Sequence, residues 1–329
     1  MAGSSGSRSL PPCSPPVSIL ERETAASSLA RRRGRRLADR PGWLGALMIG
    51  PAVLYILLVV GMPFVLALYY SVSDITAGSR TLNFVGLKNF AHIVSTSAFR
   101  TALWNTFVFA VVSQVIVLIG ANILALAFMR DFRGKWLVRL LLLLPWVAPI
   151  SLGTIGWLWI LDSLYSVINW TLQALGLISR DNWPMWLGIP YLAMGSVITV
   201  HVWRLLPLAT IILLAGLSSI PREIHEAARV DGAGFWHHHF QVTLPLMRPI
   251  MLVALLFGLV FAFTDMIVIF ILTRGGPYDT TQVLANLAFF TGIQGGDLAE
   301  GAAIALFLFP LLLAVAVVLL RVARRTEVT

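Results

Sequence analysis

Charged residues and cysteine are both scarce in this sequence. Asp, Glu, Lys and Arg make up 12% of the 329 residues, whereas soluble domains carry about a quarter. Hydrophobic residues account for 58%, and the mean hydropathy is +0.84. This composition argues against a soluble globular domain and indicates a polytopic membrane protein with a core of packed spans. Cys13 is the only cysteine, so neither an internal disulfide nor a thiolate metal cluster can form.

Motifs for chemistry are also missing. The chain contains no G-x-x-x-x-G-K-[ST] phosphate loop, no nucleophile elbow and no H-E-x-x-H zinc motif. The histidines at 237–239 lack i, i+4 spacing and a carboxylate partner, so they are interpreted as surface histidines rather than metal ligands. We therefore expect no catalytic residue, no metal and no cofactor in this chain. Any such chemistry has to be supplied by a partner.

Apolar stretches dominate what is present. A hydrocarbon core about 30 Å thick needs about 20 apolar residues in a helix. Six stretches meet this requirement: Trp43–Tyr70, Leu103–Met129, Val138–Leu161, Ile189–Leu217, Ile250–Leu272 and Gly301–Leu320. The sequence thus predicts an all-α polytopic membrane protein with six transmembrane helices, in a domain spanning residues 41–329.

Residues 1–40 are predicted to be a disordered basic tail, since they are rich in Ser, Pro, Ala and Arg and have no apolar run. The basic run at 31–36 directly precedes an apolar stretch. In that position a topology anchor in contact with anionic lipid is favoured over a nucleic-acid patch. We therefore expect a lipid bilayer as partner and no nucleic acid.

The basic residues also orient the spans. If the N-terminus is inside, 18 Lys and Arg residues lie in inner segments and 5 in outer ones. Basic residues concentrate in cytoplasmic loops. The sequence therefore predicts a multi-pass protein of the cytoplasmic (inner) membrane with both termini cytoplasmic, and it places the polar segment 218–249 on the cytoplasmic side.

This segment is the only long polar stretch in the second half of the chain. Pro221 suits the first turn of a helix, and Ala227 and Ala228 belong to one small apolar face. Gly232 is expected to stop that helix in a left-handed turn. A second short helix then follows over 235–242. A polar elbow between two spans needs a protein partner at the membrane surface to cover its alanine face.

The run from Glu226 to Ala233, followed by Leu244 and Pro245, resembles the EAA loop of binding-protein-dependent ABC importer permeases. The resemblance implies the type I ABC importer permease fold. It also implies that the loop is a coupling helix, which docks into a groove on a separate ATPase. The coupling residues carried over are Glu226, Ala227, Ala228, Asp231, Gly232, Ala233, Leu244 and Pro245.

Other segments resemble sugar permeases of the maltose and glycerol-3-phosphate type. They are residues 83–90, the pair Asn105–Thr106, and the Leu-Thr-x-Gly-Gly-Pro run that ends at Pro277. Relatives often carry Phe-Asp just before that run, whereas here Asp265 lies earlier. The resemblance implies a heterodimer with a second homologous permease, two copies of an ABC ATPase and an extracytoplasmic substrate-binding protein. Candidate contacts with the binding protein are Gly275, Gly276 and Pro277.

Ionisable and polar groups inside spans suggest a substrate pathway, since they are costly there without a function. The candidates are Arg204, Trp203, His201, Asp265, Asn122 and Gln114. A structural role remains open for each of these groups. For Arg204 the alternative is that it pairs with Asp265 or caps carbonyls only to hold the bundle together. For Gln114 and Asn122 the alternative is hydrogen bonding between helices.

The function expected from these features is ATP-driven import of a sugar delivered by a binding protein. One alternative is import of glycerol-3-phosphate or another polyol. A less favoured one is an ion-coupled secondary transporter, with Asp265, Arg204 and His201 as a proton relay. A third alternative, a membrane-embedded enzyme, is disfavoured, because the sequence shows neither paired carboxylates nor a nucleophile–base set at one membrane face.

Overall fold

The computed structural model describes residues 41–79 and 82–326, so the predicted tail at 1–40 lies outside it. The chain divides between Val65 and Leu66 into two units. Helix α1 (Pro41–Ile56), a π-helical turn (Leu57–Gly61) and α2 (Met62–Ser71) follow one another along the chain. Gly45–Ser71 forms an apolar helical stretch of 27 residues, long enough to cross a membrane.

The second unit is also helical. Its first helices are α3 (Lys88–Ser95), α4 (Ser97–Met129), α5 (Lys135–Val147), α6 (Ile150–Ile160), α7 (Val167–Ala174) and α8 (Pro190–Ser219). They are followed by α9 (Arg222–Val230), α10 (Phe235–His237), α11 (Leu244–Leu246), α12 (Arg248–Phe263), α13 (Ile267–Leu272), α14 (Leu284–Phe289) and α15 (Leu298–Thr326). The all-α prediction is confirmed.

Four helices are long and apolar enough to cross a membrane, and up to six spans result if two bent pairs each count as one. The third predicted stretch consists of α5 and α6, which meet at 98°. The bend falls at Ala148 and Pro149, because a residue preceding proline disfavours the helical conformation. The second bent pair consists of the helical segment Phe235–Leu246 and α12, which meet at 70°. The fifth predicted stretch is also interrupted at 264–266, between α12 and α13.

Helices α4 and α8 pack along one another and form the centre of the second unit. Large apolar side chains such as Phe109, Leu205 and Leu213 are fully buried there. Helix α4 begins at Ser97 with a side-chain cap, since the Thr96 hydroxyl accepts a hydrogen bond from the Phe99 N–H at 3.3 Å. Helix α4, which carries part of this core, has 33 residues and begins before the predicted apolar stretch Leu103–Met129.

Helix α14 and the π-helical turn after it pack closely against the start of α15. A Cβ atom at Gly301 would collide with the backbone of Gly292 and approach the Ala288 carbonyl. This close approach requires glycine, as at many helix contacts in membranes.

Replacing Gly301 with alanine is expected to destabilise the fold by about 1–3 kcal/mol, the usual cost of overpacking. Thermal unfolding in detergent measures the effect. Gly195→Ala is the matched control, because its added Cβ meets nothing within 4 Å. Equal melting temperatures for the two variants would show that the backbones are not in close contact.

Candidate functional site

The polar elbow begins with α9, which follows Pro221 and ends at Val230. Gly232 has a φ of +77°, the left-handed conformation that glycine adopts at little cost. Its N–H donates to the Arg229 carbonyl at 3.0 Å, and the Ala233 N–H donates to the Ala228 carbonyl at 2.9 Å. These two hydrogen bonds form a Schellman motif, so the turn predicted at Gly232 is confirmed.

A second helical arm follows the turn, from α10 through a π-helical segment (His238–Thr243) to α11. Helix α9 packs against this segment, and Ala228 is buried. The His225 Nδ1 atom lies 2.9 Å from the His238 Nε2 atom. Burial lowers the pKa of His225, and nearby His238 and Arg229 lower it further. We expected a partner protein to cover the alanine face of α9. Because Ala228 is buried, the chain itself covers part of that face.

The exposed surface of the elbow is aromatic. We define the elbow patch as Val230, Phe235, Trp236 and Phe240, which are 86%, 56%, 68% and 55% exposed. The Trp236 ring stacks on Phe240 with 5.8 Å between centroids. Exposed apolar patches of this kind indicate a contact with a protein or a membrane. The sequence interpretation missed this patch, although aromatic residues within a polar segment are a usable signal.

The predicted coupling residues differ in exposure. Glu226, Ala227, Asp231 and Gly232 are exposed, Ala233, Leu244 and Pro245 are half-buried, and Ala228 is buried. The exposed carboxylates thus lie on the same elbow as the elbow patch.

A buried charge cluster joins α8 to the break between α12 and α13. The Asp265 Oδ2 atom lies 2.6 Å from the His201 Nδ1 atom and 3.6 Å from an Arg204 Nη atom. The Asp265 Oδ1 atom accepts a hydrogen bond from the Val268 N–H at 3.2 Å. The side chains of His201 and Asp265 are 0% and 1% exposed, whereas that of Arg204 is 14% exposed. In this conformation His201 and Asp265 are closed to a ligand.

The other three pathway candidates make other contacts. Trp203 is half-buried and packs edge-on against Trp157, with ring centroids 5.7 Å apart. Gln114 is buried, and a Cβ at Gly258 would collide with its amide. Within the described ranges, both amide atoms of Gln114 and the Oδ1 atom of Asn122 are buried without a hydrogen-bond partner. Of the six candidates, the structure joins only His201, Arg204 and Asp265 by direct polar contacts among the described residues.

The Gly-Gly-Pro run forms a tight turn, as predicted. We define the GGP loop as residues 273–284. The Thr281 hydroxyl donates to the Gly276 carbonyl at 2.7 Å, and the Thr281 N–H donates to the Gly275 carbonyl at 3.1 Å. Gly275 is buried, whereas Tyr278 is 91% exposed. The accessible tip of the loop is thus Tyr278, which the sequence interpretation did not single out.

The histidines at 237–239 do not form a cluster with carboxylates. His238 contacts His225, and His239 is buried beside Phe235. Among the described residues, no group of three His, Cys, Asp or Glu side chains is placed to hold a metal ion.

The sequence of this chain is similar to those of known transport proteins. Residues 117–328 match the family model described as binding-protein-dependent transport system inner membrane component. The chain is 32% identical to the trehalose/maltose transport system permease protein MalF of Thermococcus litoralis, covering 88% of this chain and 96% of that protein. It is 30% identical to the trehalose transport system permease protein SugA of Mycobacterium tuberculosis, covering 87% and 90%.

A solved structure shares the fold. A chain of the bacterial alginate ABC transporter, crystallised with alginate pentasaccharide-bound periplasmic protein, superposes with a TM-score of 0.76 at 22% identity. The superposition covers 88% of this chain and 98% of that one. The fold is that of a type I ABC importer permease. The chain belongs to the family of binding-protein-dependent transport system inner membrane components, the permease subunits of ABC importers.

Proposed function

We propose that this chain is the permease subunit that moves a sugar across the membrane when its elbow is driven by a separate ATPase. The observation that carries the proposal is the exposed aromatic elbow, inserted between two apolar helices. Helix α8 ends at Ser219, two residues before Pro221, and α12 begins at Arg248, two residues after Leu246. A displacement of the elbow therefore acts on both helices directly.

The elbow patch suits a protein groove better than a lipid surface. The same elbow carries three exposed carboxylates and three exposed arginines, namely Glu223, Glu226, Asp231, Arg222, Arg229 and Arg248. It therefore has no net positive charge that would attract it to anionic lipid. An ATPase with an apolar groove and a charged rim complements both features. ATP and Mg²⁺ are bound by that ATPase, of which two copies serve the pair of permeases. The elbow and both termini are then cytoplasmic, and the GGP loop faces the binding protein.

Trp236→Ser is expected to weaken binding of the ATPase by at least about 2 kcal/mol, roughly 30-fold, because buried tryptophans are frequent hot spots. Binding of the purified ATPase to the permease pair in nanodiscs measures the change. Trp104→Ser is the matched control, since Trp104 is 69% exposed on α4 rather than on the elbow. An unchanged affinity for Trp236→Ser would contradict the docking surface.

A sugar is favoured over a phosphorylated ligand on electrostatic grounds. Arg204 lies near the middle of a predicted span, and one of its Nη atoms is 3.6 Å from the Asp265 carboxylate, which offsets its charge. This pairing makes Arg204 a weaker site for a phosphate than an unpaired arginine would be. The relatives are named for trehalose, maltose, diacetylchitobiose and sulfoquinovosyl glycerol, which supports a sugar or a glycoside. Glycerol-3-phosphate or another polyol is the second candidate.

Arg204, Trp203 and Asn122 are half-buried and remain pathway candidates. Gln114 is buried, and neither atom of its amide group has a hydrogen-bond partner among the described residues. His201 and Asp265 are assigned a positioning role instead, because both are closed to solvent. An ion-coupled transporter would use that pair as a proton relay. The match to the family of binding-protein-dependent permeases disfavours this role.

A further inference from the structure

The GGP loop is held by side chains from a distant part of the chain. The Asn105 amide nitrogen donates to the Asp279 carbonyl at 2.9 Å and to the Gln282 carbonyl at 3.0 Å. The neighbouring Thr106 hydroxyl accepts a hydrogen bond from the Leu284 N–H at 2.9 Å. Asn105 is 8% exposed and Thr106 is fully buried. One turn of α4 therefore fixes three backbone positions of the loop.

The loop needs this support because its backbone is strained. Arg274, Tyr278 and Asp279 have φ angles of 52°, 51° and 59°. Such left-handed conformations are unfavourable for residues with side chains and persist only where the surroundings impose them. Asn105 binds the carbonyl of Asp279, one of the strained residues. Loss of the Asn105 amide would release the segment that carries exposed Tyr278.

Helix α4 also connects this end of the molecule to the elbow. It continues for 24 residues from Asn105 to Met129, about 36 Å at 1.5 Å per residue. Along this length it packs against α8, which leads into the elbow. The Ser218 hydroxyl near the end of α8 lies 3.8 Å from the Met129 sulfur. Asn105, which holds the GGP loop, therefore lies on α4, and α4 packs against α8, the helix that leads into the elbow.

We propose that Asn105 is a positioning residue for transport. It holds the GGP loop, with Tyr278 at its tip, in the conformation that receives the substrate-loaded binding protein. This inference rests on the proposed function, because it assumes that a binding protein docks at this loop. It assigns Asn105 no contact with the transported ligand.

Asn105→Ala and Asn105→Asp test the proposal, since both remove the amide donor and the second nearly preserves the shape. The variants are reconstituted with the partner permease and the ATPase, and ATP hydrolysis is titrated with the binding protein. We expect the half-saturating concentration of binding protein to rise at least 10-fold, with basal hydrolysis unchanged. An unchanged half-saturating concentration would overturn the proposal.

Asn169→Ala is the matched control. Asn169 is also a buried asparagine, and it holds a different loop by donating to the Pro184 carbonyl at 3.2 Å and accepting from the Trp186 indole N–H at 2.8 Å. We expect this variant to leave the half-saturating concentration unchanged. An equal rise in both variants would mean general loosening of the fold and would also overturn the proposal.

A rescue separates positioning from other roles of Asn105. The Thr273 and Thr281 side chains are in contact, with their hydroxyl oxygens 2.7 Å apart, so a cysteine pair at these positions can be tested for disulfide formation. In a Cys13→Ser background, oxidised Thr273→Cys/Thr281→Cys should restore the binding-protein response of Asn105→Ala to within about threefold of the same oxidised cysteine pair with Asn105 retained. This reference is needed because the cysteines also remove the Thr281 hydroxyl bond to the Gly276 carbonyl. Failure of the oxidised form, with the disulfide verified, would contradict a positioning role.

A spectroscopic readout keeps this inference separable from the proposed function. A nitroxide label on Tyr278→Cys, again in the Cys13→Ser background, reports loop mobility without any partner. We expect the label to be markedly more mobile when Asn105→Ala is added, and unchanged mobility would overturn the positioning role. If the parent assembly shows no response to binding protein while the label behaves as expected, the proposed function fails and the loop support stands.

Discussion

Replacing Gly232 with aspartate is expected to reduce substrate-stimulated ATP hydrolysis at least 100-fold while the chain still inserts in the membrane. The left-handed conformation of Gly232 costs a residue with a side chain about 1 kcal/mol. That cost leaves a membrane protein folded. A Cβ at this position meets nothing within 4 Å among the residues that the structure describes, so the new carboxylate is expected to face the space where the ATPase would dock. The loss therefore arises at the interface.

Gly176→Asp is the control that isolates this effect. Gly176 has a φ of +73° and an equally open surrounding, but it follows α7 rather than α9. The same change imposes the same backbone cost away from the elbow, so hydrolysis should remain near the parent rate. Normal turnover by Gly232→Asp in reconstituted vesicles would refute the role of the elbow.

Asp265→Ala is expected to have the second large effect, on stability. The change leaves Arg204 without its carboxylate and His201 buried without a partner, and it removes the hydrogen bond to the Val268 N–H. Breaking a buried ion pair from one side typically costs about 3–5 kcal/mol. Thermal unfolding in detergent and the yield of assembled permease pair measure the loss.

A combined variant distinguishes support from a pathway role. Replacing Asp265, His201 and Arg204 together with leucine should recover much of the stability, since apolar replacement of a buried ion cluster is often neutral. If Arg204 lines the pathway, the triple leucine variant recovers its stability but still shows no sugar uptake. Asp162→Ala is the control for stability, because Asp162 accepts hydrogen bonds only within its own exposed turn. A melting temperature for Asp265→Ala equal to that of this control would contradict the buried cluster.

The elbow was predictable because its signals are local. Pro221 precedes α9, and Gly232 takes the left-handed turn that ends it; both follow from the residue types alone. The aromatic elbow patch was not predicted, because exposure depends on how the second arm folds back. The bend at Pro149 was also missed, because the length of an apolar run indicates whether a helix can cross a membrane but not whether that helix is straight.

Contacts between distant residues lie beyond such reasoning. Asp265 and His201 are 64 positions apart, and Asn105 and Asp279 are 174 apart. The sequence suggested that Arg204 could pair with Asp265, but His201 was assigned only to the pathway or a relay. The role of Asn105 in holding the GGP loop depends on side-chain geometry that spacing cannot supply. Helix α14 and its π-helical turn, Leu284–Gln294, are too short to register as a span.

The measurement that tests the account most directly is sugar uptake into proteoliposomes that contain this chain, the partner permease and the ATPase. The binding protein is placed on the side of the GGP loop and ATP on the side of the elbow. We predict uptake that requires ATP hydrolysis and is unaffected by a protonophore. Uptake that persists without ATP and collapses with the protonophore would contradict the account and select an ion-coupled transporter.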